Sequence, residues 1–240
     1  MRVSSSSVDE VDGEPVAPPA PRRGRRVSPL TVVGVVLLVA GLSCLGWVAY
    51  QYFGTNVVSE RVFQTEREQL RTTWTEEKKA DPKGSKSDPG SKIPGEAMGL
   101  LRIPAFGNDY EIPIISGTDL RVLNKGVGHY TSTAQPGEIG NFALAGHRVT
   151  HGQPFSKLLE LDEGDKIIVE TRDAVYTYVL DAPPRSLTVK DTDTWVIDPV
   201  PGKPDVKPSQ PLITLTTCQD LFHSPDRSVG FGHLESTQNK

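Results

Sequence analysis

The sequence predicts an all-β domain carried behind a single transmembrane helix. Three observations predict it. Leu30 to Phe53 contains no charged residue. From Met98 onward, short apolar runs rich in β-branched residues alternate with turn residues, and few stretches in that region carry a helical period. Many short strands with few helices imply a sandwich or a closed barrel. The chain of 240 residues accommodates one ordinary domain plus appendages. A net charge of -4 gives no electrostatic case for nucleic acid.

In chain order, residues 1–29 are expected to be a disordered cytoplasmic tail, since Met1 to Arg26 is rich in Ser, Pro and charge and has no apolar period. Arg22, Arg23, Arg25 and Arg26 close it and should stay cytoplasmic. Residues 30–53 are long enough to cross a bilayer as a helix, with Trp47, Tyr50, Tyr52 and Phe53 at the far interface. The apolar run is too long for a cleaved signal peptide and continues past Cys44, which disfavours a lipoprotein site there. The C-terminal bulk is therefore expected outside the cell, on a single-pass membrane anchor. Residues 54–92 read as an extracytoplasmic stalk and linker. Val58, Val62, Phe63, Leu70 and Trp74 are spaced loosely as on the face of a solvated helix, and Asp81 to Lys92 is a turn-rich flexible linker.

Residues 93–240 form the folded domain. Leu100–Ile103 and Tyr110–Ile115 flank a hairpin-type connection, and Thr118–Lys125 reads as a helical turn capped by Thr118 or Asp119. Asn141–Ala145 is a strand ending at Gly146-His147, and Pro154–Glu160 a short helix. Lys166–Glu170 and Val175–Leu180 form a second hairpin, with Tyr176, Tyr178 and Leu180 on one side. Arg185–Gln210 is long, proline-rich and irregular. A loop of that size with no structure of its own is usually functional. It runs into Pro211–Cys218, PLITLTTC, a buried strand by composition, and Ser228–Leu234 completes the sheet.

The cysteine at the end of that strand is the one thiol outside the apolar segment. A cysteine nucleophile reacts as the thiolate and needs a proton acceptor or a positive field beside it. Histidine is suited to moving protons near neutral pH, and arginine can hold a carbonyl or an oxyanion without losing its charge. Of His129, His147, His151, His223 and His233, His147 stands out because it follows an apolar strand and a glycine. Arg148 is the rival to Arg227, although a strand would turn it to the face opposite His147. Spacing alone does not bring Cys218, His147 and Arg227 together. There is no CxxC pair and no His/Cys cluster at zinc spacing, so no metal and no cofactor is expected.

These residues resemble the sortases, the membrane-anchored cysteine transpeptidases of Gram-positive bacteria, over Ile93 to Leu234. The resemblance is carried by Leu-Ala-Gly-His at Leu144–His147, Thr-Leu-Thr-Thr-Cys at Thr214–Cys218, and Arg227 on the next strand. Val127–Tyr130, Pro136–Glu138 and Asn141–Ala143 look most like the class E sortases of actinobacteria.

The resemblance implies an eight-stranded β-barrel with short helices and a groove walled by Arg185–Gln210. It also implies cleavage of a C-terminal sorting motif of the LAxTG or LPxTG type between Thr and Gly. The thioacyl-enzyme is then resolved by a peptidoglycan precursor amine. Surface proteins bearing the signal, that amine and the membrane are the implied partners. Cys218 is the implied nucleophile, His147 the general acid/base, and Arg227 the group that positions the motif and stabilises the oxyanion. Tyr130 and Thr217 are substrate-binding candidates.

Gln219-Asp220-Leu221-Phe222 departs from the proline often found after the cysteine in class E. Asp81-Pro82 and Asp88-Pro89 lack the aromatic of a pilin-type lid, and no second apolar segment follows the barrel, which favours surface anchoring over pilus assembly. Calcium dependence is left open by the acidic run Glu160, Asp162, Glu163 and Asp165, which a solvated hairpin end explains equally well. Two alternatives remain at this stage: a cysteine hydrolase, and an inactive membrane-tethered binding domain on a sortase-like barrel.

Overall fold

The computed structural model describes residues 28–80, 95–218 and 224–240, with Cys218 described through its backbone. The expected tail, the linker and the stretch Gln219–His223 lie outside the described residues. The chain divides into two units after Cys44. The first contains most of α1 (Pro29–Ala49), which buries none of its residues and is long and apolar enough to be a candidate membrane span.

In the second unit the helix continues through a π-helical turn at Tyr50–Gly54 into α2 (Thr55–Ala80). α2 is not the solvated stalk that its loose apolar spacing suggests. Thr55, Ser59, Phe63 and Leu70 repeat at intervals of four and seven, which puts them on one helical face, and all are buried. Phe63 is 0 % exposed and belongs to the main core. α2 packs on strands β1 (Ala97–Arg102) and β2 (Ile112–Ser116). Arg71 pairs with Glu111 at 2.7 Å, Glu66 with Lys125 at 3.2 Å and Glu77 with Arg172 at 2.8 Å along the rim of that contact. These ion pairs are partly exposed and contribute little beyond alignment.

The remaining strands are β3 (Val127–His129), β4 (Gly140–Ala145), β5 (Lys166–Glu170), β6 (Ala174–Ala182), β7 (Thr188–Lys190), β8 (Pro211–Cys218) and β9 (Asp226–Asn239). The sheet runs β6-β5-β1-β2-β3-β4-β8-β9 and closes through a β6–β9 pairing, giving an eight-stranded barrel. β7 is added outside on β9. Closure leaves none of the eight strands as a free edge. Alternate residues fill the interior: Phe142 and Leu144 from β4, Ile213 and Leu215 from β8, Tyr178 and Leu180 from β6. The expected helical turn is α3 (Leu120–Leu123), capped by Asp119, whose Oδ1 accepts from the amides of Arg121 and Val122.

Two expectations need correction, and one strand, β3, was not among those expected. β3 is only three residues long and is interrupted by a glycine, so its run is too short to read as a strand. Pairing on both sides, parallel to β2 and antiparallel to β4, makes it one. β9 runs beyond Leu234 to Asn239 because its antiparallel pairing with β6 continues to Ala174↔Asn239 through exposed polar residues. The long loop after β6 is not structureless. It contains β7 and a 3-10 turn at Thr194–Ile197, and its Val189 and Val196 close a second small core over Val229 of β9.

If α2 is part of the core, Phe63→Ala should lower the free energy of unfolding by about 3–5 kcal/mol. Urea denaturation followed by near-UV circular dichroism measures this; an unchanged midpoint would return α2 to the role of a solvated stalk.

Candidate active site

Cys218 is the last residue of β8, and Arg227, near the start of β9, is its Cα partner across the antiparallel ladder. β4 lies on the other side of β8, parallel to it, with Ala145 opposite Thr216. Two further bonds extend that pairing past the end of β4. The Gly146 amide donates to the Thr216 carbonyl at 3.1 Å, and the Thr217 hydroxyl donates to the Gly146 carbonyl at 2.8 Å. The backbones of His147, Cys218 and Arg227 therefore lie at one end of the barrel, on three neighbouring strand ends. Seventy residues lie between His147 and Cys218 in the chain, and only the parallel β4–β8 register removes that distance.

His147 is half-buried, in a loop that returns on itself through the Phe155 amide, which donates to the His147 carbonyl at 3.0 Å. Its Nε2 lies 3.2 Å from Asn124 Oδ1. A carboxamide oxygen only accepts, so Nε2 carries the hydrogen and Nδ1 keeps the lone pair. The ring stacks on His151 with centroids 5.0 Å apart. Burial, and secondarily the neighbouring His151, push the His147 pKa down to about 4. It is therefore neutral near pH 7.

The Arg227 guanidinium lies 3.5 Å from the Asp191 carboxylate and donates to the Ser224 and Asp226 carbonyls. Asp191 follows β7, so the small strand added to the barrel orients this arginine. Tyr130 leaves β3 half-buried, with its hydroxyl 3.5 Å from Thr216 Oγ1, two positions before Cys218. Thr217, the other substrate-binding candidate, is buried on the strand before Cys218. It is 2 % exposed and its hydroxyl proton is committed to Gly146, so it ties β8 to the turn that carries His147.

The other histidines sort by environment. His129 is 1 % exposed, stacked near Phe142, with Nε2 3.1 Å from both the Ala134 carbonyl and Thr133 Oγ1. It holds the loop that supports Tyr130. His233 pairs with Asp181 on the surface at 2.8 Å, and His223 lies outside the described residues. In the acidic run, Asp165 accepts from the Asp162 amide and Asp162 pairs with Arg185. Among the described residues no group of three or more His, Cys, Asp or Glu is gathered to hold a metal ion.

Sequence reasoning missed Asn124, Asp191 and a buried latch over β4 and β8, and weighed His151 only as a rival to His147. Asn141 Nδ2 donates to the carbonyls of Val196 and Asp198 at 3.2 and 3.0 Å. The Thr214 hydroxyl lies 2.8 Å from Asn141 Oδ1 and 3.1 Å from the Val196 carbonyl. Both side chains are at most 1 % exposed. The latch fixes the long loop over the strand that ends in Cys218. Its one sequence signal is a polar residue at a position where strand composition calls for an apolar one.

The eight-stranded closed barrel, with its crossover pairing of β4 to β8, is the sortase fold. A sortase-domain family model matches residues 101–235. Two curated relatives from Streptomyces coelicolor are similar to most of this chain. Sortase SrtE2 is 32 % identical, over 90 % of this chain and 88 % of that protein. Sortase SrtE1 is 35 % identical over 90 % of this chain, which spans only 60 % of the length of SrtE1. Among solved structures, sortase E from Streptomyces avermitilis is 39 % identical, with a TM-score of 0.55 over 61 % of this chain and 93 % of that one. A crystal structure of sortase E1 from Streptomyces coelicolor, described as having a tripeptide in the active site, is 34 % identical. It has a TM-score of 0.53 over 62 % of this chain and 94 % of that one. The chain belongs to the sortase family, a family of cysteine transpeptidases.

Burial of neutral His129 also makes a stability prediction. Its pKa is pushed down to about 4, chiefly by desolvation. The unfolded chain, with an ordinary histidine pKa, binds the proton first as pH falls. The contribution is complete above about pH 6.5 and is lost as pH falls to about 4, amounting to ~3 kcal/mol. Urea unfolding at about pH 7.5 and about pH 4.5 should therefore show a loss about 2 kcal/mol smaller in His129→Gln than in the wild type. Equal losses in both would mean that His129 titrates normally in the folded protein.

Proposed function

We propose that this protein is a membrane-anchored transpeptidase that attaches surface proteins to the cell wall. Its substrate carries a C-terminal sorting motif of the LAxTG or LPxTG type, cut between Thr and Gly. The reading rests on one observation above the others: the strand register that sets the backbones of Cys218 and Arg227 opposite one another, beside the turn carrying His147. The tripeptide in the active site of the similar sortase E1 supports a peptide substrate. The arginines preceding the candidate span support a cytoplasmic N-terminus and an extracytoplasmic barrel.

In this mechanism neutral His147 takes the Cys218 thiol proton, and the thiolate attacks the carbonyl carbon of the motif threonine. The oxyanion that develops is stabilised by the Arg227 guanidinium, which Asp191 and two carbonyls already orient. Collapse breaks the C–N bond. The imidazolium gives its proton to the departing glycine amine, which leaves a Cys218 thioester. An incoming cell-wall precursor amine then attacks the thioester carbon, passes its proton to His147 and forms a new amide, and the sulfur is released to regain its proton. Arg227 cannot substitute for the base, since a guanidinium does not lose its proton in a protein. Tyr130, beside Thr216, borders the pocket for the residue that follows the motif leucine.

The test is cleavage of motif peptides with alanine or proline at the second position, with and without an amine acceptor, followed by mass identification of the adduct. Cys218→Ala should abolish cleavage, a loss of at least about a thousandfold, while the circular dichroism spectrum stays unchanged. Cleavage retained in that variant would end the thioacyl mechanism. Hydrolysis at the same rate with no amide product, whatever amine is offered, would make the protein a hydrolase. Failure to cleave any motif peptide would favour a binding domain.

A further inference from the structure

The turn that carries His147 is held from outside the barrel. His151, stacked on His147, has φ +54°, and Gln153 has φ +41°, with Gly152 between them at +79°. Three successive residues in the left-handed region are costly for the two that are not glycine, at about 1–2 kcal/mol each, and persist only where the surroundings determine them.

The surroundings here are the first turns of α2. The Gly152 amide donates to Asn56 Oδ1 at 2.8 Å, and the His151 amide to Thr55 Oγ1 at 3.4 Å. Asn56 is itself fixed, because its Nδ2 donates to the Tyr52 carbonyl at 2.7 Å, which leaves Oδ1 to face the loop. Gly152 sits so close to α2 that a Cβ there would lie 2.5 Å from the Phe63 ring. At the far end of the same loop the Tyr110 hydroxyl donates to the Pro154 carbonyl at 2.8 Å.

We propose that Asn56 is a positioning residue for His147: α2, through Asn56, Thr55 and Phe63, fixes the strained turn 151–153 and so the ring against which His147 stacks. The catalytic turn is thereby assembled by the helix that emerges directly from the apolar segment, not by the barrel alone. Asn124 sets one nitrogen of the imidazole and His151 sets its plane. Without Asn56 the plane is released while the barrel strands keep their pairing. The inference rests on His147 being the acid/base group.

Two substitutions of Asn56 separate positioning from mere helix support. Asp keeps an oxygen to accept from Gly152 and gives up only the Nδ2 bond to the Tyr52 carbonyl, whereas Leu removes both bonds yet is the better helix former. In the full chain in detergent micelles, cleaving a motif peptide near neutral pH, Asn56→Leu should lower kcat about tenfold with KM within about twofold, while Asn56→Asp stays within about threefold of wild type. Hydrogen exchange at the Gly152 amide should quicken in Asn56→Leu only. An Asn56→Leu enzyme as active as Asn56→Asp, or with wild-type protection at Gly152, overturns the proposal. His147→Ala serves as the control. If it cleaves normally, the reading of the active site fails; if it is dead while Asn56→Leu is fully active, only the positioning role fails.

Discussion

The parallel pairing of β4 with β8 is the constraint on which the rest of this structure depends. Parallel neighbours cannot be joined by a tight turn, so the chain between them must travel a long way and return. In that excursion it builds the β5–β6 hairpin, the second small core and the loop that roofs the outer face of β8. The same pairing brings the exit of β4 level with the exit of β8. β9, antiparallel to β8, then starts where both of them end. One register thus sets three side-chain-bearing positions together and also supplies the wall beside them.

Much of this was legible. PLITLTTC read as a buried strand because its β-branched residues fill both faces, and Ile213 and Leu215 do point into the core while Thr214 and Thr216 are buried on the other side. The cap at Asp119 and the β5–β6 hairpin read correctly because the interactions that make them are local in sequence. What did not read was non-local. The buried face of α2 uses one large aromatic and one leucine, Phe63 and Leu70, among charged neighbours. Such a face looks solvated until a partner surface is known. β3 exists because its neighbours pair with it, and composition gives no sign of that.

The candidate site divides in the same way. Cys218, His147 and Arg227 were singled out by chemistry and by resemblance, and each sits at a strand end. The groups around them escaped notice because ordinary residues perform these tasks. Asn124 sets a tautomer, His151 offers a ring, and Asp191 aims a guanidinium from a strand of three residues. None carries a motif, and each acts across a gap that the fold closes. Thr217 was singled out by adjacency to the cysteine, and its hydroxyl bonds the backbone beyond the end of the next strand.

The latch of Asn141 and Thr214 onto the carbonyls of Val196 and Asp198 has a consequence for how a peptide would meet this face. Three of those bonds are buried and the fourth, to the Asp198 carbonyl, is partly buried, so breaking them leaves polar groups that water reaches poorly. The roof over β8 is therefore not a door that swings as a ligand arrives. It is a finished edge, and its ordering entropy is spent when the chain folds rather than when it binds. Any peptide read along that edge would meet a shape fixed in advance. Retuning it calls for changes in the roof's own side chains, since loosening the latch would blur the template and not widen it.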